Sequence, residues 1–165
     1  MKIQLSSIKP GLALTLSGLV FGIILGVGFG LYEDGFQDYI AQGIAAHPSV
    51  HDAKSPDKIW RYVQRAHFHS NGIAAFSIGL LLLVAASTMS DRTKQIISTL
   101  IGLGSLYPLA WFSMFLLAPS IGRSAAHSHF VTEMLTYIGV GSLITGLIVL
   151  IGNLFFGLLA EMSES

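Results

Sequence analysis

Cysteine is absent from the 165-residue chain, and charged residues are scarce. Without a thiol the protein can form no disulfide, iron–sulfur cluster, thiolate nucleophile or zinc–thiolate site. Charged side chains make up 11% of the sequence, whereas a soluble domain contains about a quarter. Nine basic residues are balanced by nine acidic ones, so we expect no basic surface and no nucleic-acid partner. These shortages argue against a water-soluble globule.

The few charges are unevenly distributed. Four stretches contain no Asp, Glu, Lys or Arg, and they are 23, 21, 28 and 27 residues long: 10–32, 70–90, 95–122 and 134–160. A helix needs roughly 20 apolar residues to cross a bilayer. The pattern predicts one all-α membrane domain, 1–165, folded as an up-down-up-down four-helix bundle with spans 11–31, 68–90, 95–118 and 130–159. We expect a multi-pass protein of a bacterial inner membrane, with lipid as a partner.

The segment 32–67 between the first two predicted spans is the longest connection. Its apolar residues recur at helix-like spacing, as Phe36, Ile40 and Ile44 illustrate, and two prolines, Pro48 and Pro56, interrupt it. This pattern is typical of amphipathic helices that lie at a membrane surface. We therefore predict two short interfacial helices joined by a turn, and no separate soluble domain.

Two features of the predicted spans concern helix packing. In the first span Gly18, Gly22, Gly26 and Gly30 stand at intervals of four, and such spacing lets another backbone approach closely. We interpret it as a helix-packing face, with a flat surface against a planar cofactor as the alternative. In the third span Pro108 lacks the amide hydrogen that a helix interior requires, so we expect a kink there.

The histidines carry the main functional signal. Two elements of the form Ala-His-x-His contain His67 with His69, and His127 with His129, and both precede spans that begin at the same membrane face. Neutral imidazole is the commonest metal ligand and a usual axial ligand of haem iron. Residues two apart point about 160° away from each other on a helix, so one member of each pair should face the bundle interior.

We therefore predict that all four histidines belong to a cofactor site, with His67 and His127 as the metal ligands. The alternative is that they are hydrogen-bonding residues at the membrane boundary.

Polar residues one helical turn away from these histidines extend the candidate site. Asn71 shares a helix face with His67, and Glu133, the one carboxylate of the fourth span, shares a face with His129. An ionisable group at this depth indicates function, although Glu133 could also be an anchor near the interface.

The sequence resembles the styrene oxide isomerase family of small four-span membrane haem proteins. The resemblance rests on the segment RAHFHSNG at 65–72, which is similar to the family's Arg-Ala-His followed by Asn-Gly, and on the charged turn and aromatic-rich span at 90–123. Phe112 stands where the family has a tyrosine, and Tyr107 is the nearest phenol. The second Ala-His-x-His element has no counterpart in the family.

The resemblance implies a homo-oligomer, a trimer, with haem b between its protomers and His67 as the axial ligand. It also implies an isomerase whose haem iron acts as a Lewis acid toward a small hydrophobic epoxide. Asn71 would orient the substrate, and Tyr107 and Glu133 are the further candidate catalytic residues. The extra histidines leave two alternatives open: a haem with two axial histidines in an electron-transfer or accessory subunit, or a copper site built from imidazoles.

Overall fold

The computed structural model describes residues 5–160, and its regular structure is helical. Single 3₁₀ turns cover Leu5–Ile8, Pro48–Val50 and Leu103–Leu106. The α-helices follow in the order α1 (Lys9–Ala46), α2 (Ser55–Ala86), α3 (Asp91–Gly102), α4 (Tyr107–Ile121), α5 (Arg123–His127) and α6 (Phe130–Phe156). Four helical segments within this part of the chain are long and apolar enough to cross a membrane: Leu5–Ala46, Ser55–Ala86, Asp91–Ile121 and Phe130–Phe156. The predicted all-α four-span membrane bundle is confirmed.

The third span is made of two helices, α3 and α4, separated by the 3₁₀ turn Leu103–Leu106. Pro108 lies in the first turn of α4, where a missing amide hydrogen removes no helical hydrogen bond. In place of the kink predicted at Pro108, the third span has a 3₁₀ turn just before this proline, and the helix restarts there. At its start α3 is capped by Ser90, whose hydroxyl accepts a hydrogen bond from the Thr93 amide.

The first two helices extend well beyond the predicted spans. Helix α1 continues to Ala46 through a kink at Tyr32 (φ −146°, ψ 35°), and α2 already begins at Ser55. The two helical segments predicted within 32–67 are therefore present, but they continue the spanning helices and are not separate. The physical reason is that no proline interrupts 11–47 or 57–107; only the connection 47–54 lies between α1 and α2.

Two apolar clusters hold the bundle together, one near each end. One cluster joins the 3₁₀ turn Leu5–Ile8 to α2, α3 and α6 through residues such as Ile8, Leu81, Ile101 and Leu150. The cluster at the other end includes Ile40, Val63, Phe115 and Ala126. The Tyr39 hydroxyl donates to the Leu116 carbonyl oxygen over 2.6 Å, so the part of α1 beyond the kink is held against α4.

The glycines of α1 make close helix packing possible. A Cβ atom added at Gly18 would meet the Ser105 side chain, and one at Gly22 would meet Asn71. One at Gly26 would lie 2.7 Å from Cε1 of His67, whereas Gly30 has no atom within 4 Å of the added position. The predicted packing face is confirmed for the first three glycines. Helix α6 uses Gly139 in the same way, against the backbone of Tyr107.

Candidate functional site

His67 lies on the face of α2 that contacts α1. Its Nδ1 atom is 2.8 Å from the carbonyl oxygen of Gly22. Because a carbonyl oxygen can only accept a hydrogen bond, Nδ1 carries the hydrogen and Nε2 keeps its lone pair. A metal-binding histidine usually donates its other ring N–H to a carboxylate, a backbone carbonyl or water. The tautomer of His67 is therefore the one that a metal-ligating imidazole needs.

The surroundings of the imidazole are apolar. The ring is 5.4 Å from that of Phe29 and 5.2 Å from that of Phe68, measured between centroids. His67 itself is half-buried and Phe68 is 67% exposed. The imidazole thus lies at the boundary between the bundle interior and its outer surface, and Gly26 provides the space that the ring occupies.

Asn71 lies next to His67, one helical turn along α2. Its Nδ2 atom is 3.3 Å from Nδ1 and 3.4 Å from Nε2 of His67, as the shared helix face predicts. Its Oδ1 atom is buried and has no hydrogen-bond donor. A buried amide oxygen without a donor is costly unless another molecule supplies one. Asn71 is thus the candidate catalytic residue that the structure places beside His67.

His69 points to the opposite side of α2. Its ring is 5.1 Å from that of Tyr107 and nearly parallel to the Trp111 ring, with an angle of 21° and 5.9 Å between centroids. The Arg65 guanidinium carbon lies 4.6 Å from the centroid of the Trp111 ring. The prediction that the two histidines of a pair face different ways is confirmed for His67 and His69, and His69 faces α4.

Tyr107, His127 and Glu133 meet in a cavity of about 140 Å³ between α4, α5 and α6. The other lining residues come from α4 and α6: Ala110, Trp111, Met114, Thr132, Thr136 and Tyr137. Three of the residues predicted from the sequence are therefore brought together, but at this cavity and not beside His67. Sequence reasoning missed Trp111 and Tyr137. Trp111 lies one helical turn after Tyr107, and Tyr137 lies one turn after Glu133. This spacing could have indicated both residues.

His129 has a structural contact that the sequence did not predict. Its Nδ1 atom accepts a hydrogen bond from the Val131 amide over 3.3 Å and so caps the start of α6. A neutral imidazole whose Nδ1 accepts carries its hydrogen on Nε2, which leaves no lone pair for a metal. Glu133 contacts His129 through its backbone amide, which donates to the His129 carbonyl oxygen. The expected side-chain pair of His129 with Glu133 is absent from the hydrogen bonds and ion pairs of residues 5–160.

The predicted pair of metal ligands, His67 and His127, is divided between two places. His67 lies against α1, and His127 lines the cavity of α4 and α6. Within residues 5–160, no group of three or more His, Asp or Glu side chains is arranged to hold a metal ion. Of the two predicted ligands, His67 is the one whose tautomer is fixed by a backbone carbonyl, and its Nε2 lone pair faces the Asn71 amide nitrogen at 3.4 Å.

The connection 47–54 packs against the end of the bundle where α4 meets α5. The His51 Nε2 atom is 3.0 Å from the Pro119 carbonyl oxygen, and the Arg123 guanidinium forms a 2.8 Å ion pair with Asp52. Hydrogen bonding from the Ser55 hydroxyl lowers the pKa of the Asp52 carboxyl, and the Lys54 amide and the charges of Arg123 and Lys54 add to this effect against desolvation. The connection is thereby attached to the junction of α4 and α5.

Comparisons with known proteins add no relative from which function could be transferred. No family model, no curated protein and no solved structure matches the chain.

Proposed function

We propose that the protein is a membrane haem protein in which His67 is an axial ligand of haem b, and that it isomerises a small hydrophobic epoxide to a carbonyl compound. The proposal combines the resemblance of segments 65–72 and 90–123 to the styrene oxide isomerase family with the geometry at His67. The observation that carries it is the 2.8 Å hydrogen bond from His67 Nδ1 to the Gly22 carbonyl oxygen.

Each group around His67 has a task in this proposal. The Gly22 carbonyl holds the ring in the tautomer whose Nε2 is a ligand. His67 would hold the haem, and a ferric haem bound there would supply a Lewis acid for an epoxide oxygen. The buried Asn71 Oδ1 and its amide group are beside the imidazole, where they can orient a polar group of the substrate. Phe29 and Phe68 provide apolar walls.

The outer position of His67 is compatible with a haem shared between protomers. The ring is half-buried, and the neighbouring surface exposes Phe68 and leaves Gly30 and Gly72 open. A planar group can approach such a surface more closely than one covered by branched side chains. The trimer, and the inner membrane of a bacterium as its location, belong to this proposal.

The cheapest test is an absorption spectrum of the protein purified in detergent. We expect a Soret band in the wild type and its loss in His67→Ala. His129→Ala is the matched control, because it removes an imidazole that caps α6 and should keep the band. A colourless wild-type protein without iron, or a band unchanged in His67→Ala, would refute the assignment of the ligand.

The catalytic activity and the spin state of the iron test the proposal that the protein isomerises an epoxide. We expect a high-spin ferric spectrum and conversion of a small aryl epoxide to its aldehyde, because an isomerase needs an open iron position. A low-spin spectrum with two axial imidazoles and no turnover would instead favour the electron-transfer alternative. Copper in elemental analysis, in place of iron, would favour the copper alternative.

A further inference from the structure

We propose that the cavity between α4 and α6 binds an organic ammonium group, held by the carboxylate of Glu133 and the rings of Trp111 and Tyr137. The ammonium group belongs either to a free amine or to the headgroup of a phospholipid. This site is distinct from His67 and its proposed haem, and it does not depend on them.

The cavity is large enough for a small ammonium group. Its volume of about 140 Å³ is close to that of an engineered protein cavity of about 150 Å³ that takes up benzene. A trimethylammonium or ethylammonium group is no larger than a benzene ring. Three of the lining residues are aromatic: Tyr107, Trp111 and Tyr137.

The polar side chains around the cavity differ in whether they have partners within residues 5–160. The two threonine hydroxyls are satisfied, since Thr132 donates to the Ala126 carbonyl oxygen and Thr136 to that of Thr132. In contrast, the Glu133 carboxylate is exposed and forms no ion pair among these residues. The cavity thus combines satisfied hydroxyls with a carboxylate that is free to bind a cation.

Charge decides which class of ligand fits. Glu133 is the single acidic residue in the lining, and no Lys or Arg is part of it. Aromatic rings attract cations through their negative faces, and pockets of several rings are a known way to recognise quaternary ammonium groups. The Arg65 guanidinium lies over the Trp111 ring, outside the residues that line the cavity. An anion would be repelled by Glu133, and a neutral ligand would leave the carboxylate unpaired.

The cavity lies beside the start of α6, which is the depth at which we expect lipid headgroups. Glu133 lies in the first turn of α6, and aromatic residues before and after it, Phe130 and Tyr137, are more than 70% exposed. The apolar face of α6 continues with Met134 and Ile138, which are also exposed. A phospholipid with an ammonium headgroup could therefore occupy the cavity while its chains lie along this face.

The first experiment is calorimetric titration of the purified protein with tetramethylammonium chloride in a detergent that carries no ammonium group. We expect saturable binding that is weakened about tenfold or more in Glu133→Gln and in Tyr137→Leu, as loss of a cation–π or ionic contact predicts. Glu33→Gln, which removes a carboxylate outside the cavity, is the matched control and should bind as the wild type does. The neutral isostere 3,3-dimethyl-1-butanol should bind weakly or not at all.

A second experiment identifies the source of the ammonium group. The chain has two tryptophans, so Trp60→Phe leaves Trp111 as the sole reporter of indole fluorescence. In nanodiscs of phosphatidylglycerol the added cation should change this fluorescence saturably. If a lipid is the occupant, nanodiscs of phosphatidylcholine should abolish the response, and if a free amine is the occupant, they should preserve it. No response in either membrane, or equal affinity in Glu133→Gln, would overturn the proposal.

Discussion

Gly26 of α1 faces the imidazole ring of His67 so closely that a Cβ atom at this glycine would lie 2.7 Å from Cε1 of the ring. The same ring donates a hydrogen bond to the Gly22 carbonyl oxygen, one turn earlier on α1. The two glycines therefore act together: one accepts the hydrogen of the ring, and the other leaves room for it. Any side chain at position 26 must displace the imidazole or separate α1 from α2.

This contact gives the first prediction. Under the proposal that His67 holds haem, Gly26→Ala should weaken haem binding about tenfold, because overpacking a close contact costs about 1–3 kcal/mol and 1.4 kcal/mol corresponds to a factor of ten in affinity. Gly30→Ala is the matched control, since its added methyl group meets no atom within 4 Å. The measurement is the Soret absorbance per protein during titration with haem. Equal affinities for the two variants would show that the ring does not stay against α1.

The helices were predictable because hydrophobicity alone determines how many segments cross a membrane. What the sequence did not reveal is where the helices end. The predicted spans stop at 31 and begin at 68, because charges appear in between, but Glu33 and Asp57 are exposed on helices that continue past the apolar stretch. Charge marks the limit of the hydrocarbon core, whereas a helix ends only where its backbone is interrupted, as at Pro48.

The candidate site was predictable where it depends on spacing within one helix. His67 and Asn71 are four residues apart, and the structure brings them together. Tyr107 and Glu133 come from different helices, and their meeting depends on the close packing of Gly139 against the Tyr107 backbone. Pairwise helix packing is determined by many side chains together, so the division into a site at His67 and a separate cavity could not be read from the sequence.

The packing of α6 on α4 gives the second prediction. Gly139→Ala should lower the stability of the bundle by about 1–3 kcal/mol, the usual cost of overpacking, because its Cβ would lie 2.7 Å from the backbone nitrogen of Tyr107. Backbone atoms cannot move aside as the end of a side chain can. Gly141→Ala introduces the same methyl group on the same helix into open space. Thermal unfolding in detergent should separate the two variants, and similar midpoints would contradict the observed packing.

The third prediction concerns acid and the connection 47–54. Hydrogen bonding from the Ser55 hydroxyl, together with the other partners of Asp52, lowers the pKa of its carboxyl in the folded protein. A carboxyl with a lowered pKa contributes stability above its unfolded pKa, about 3.9, and this contribution is lost as the pH falls through the folded value. The attachment of Asp52 to Arg123 should therefore hold at neutral pH and weaken only below about pH 4.

Hydrogen exchange in the connection measures this attachment directly. Wild-type amides between 50 and 55 should lose protection below about pH 4, after correction for the intrinsic pH dependence of exchange. Asp52→Asn should show the lower protection already at neutral pH and little further change on acidification, because the amide keeps no charge for Arg123. Asp38→Asn, which removes a carboxylate that forms no ion pair among residues 5–160, should behave as the wild type does. Identical profiles for Asp52→Asn and the wild type would mean that other contacts, such as that of His51 with the Pro119 carbonyl oxygen, hold the connection in place.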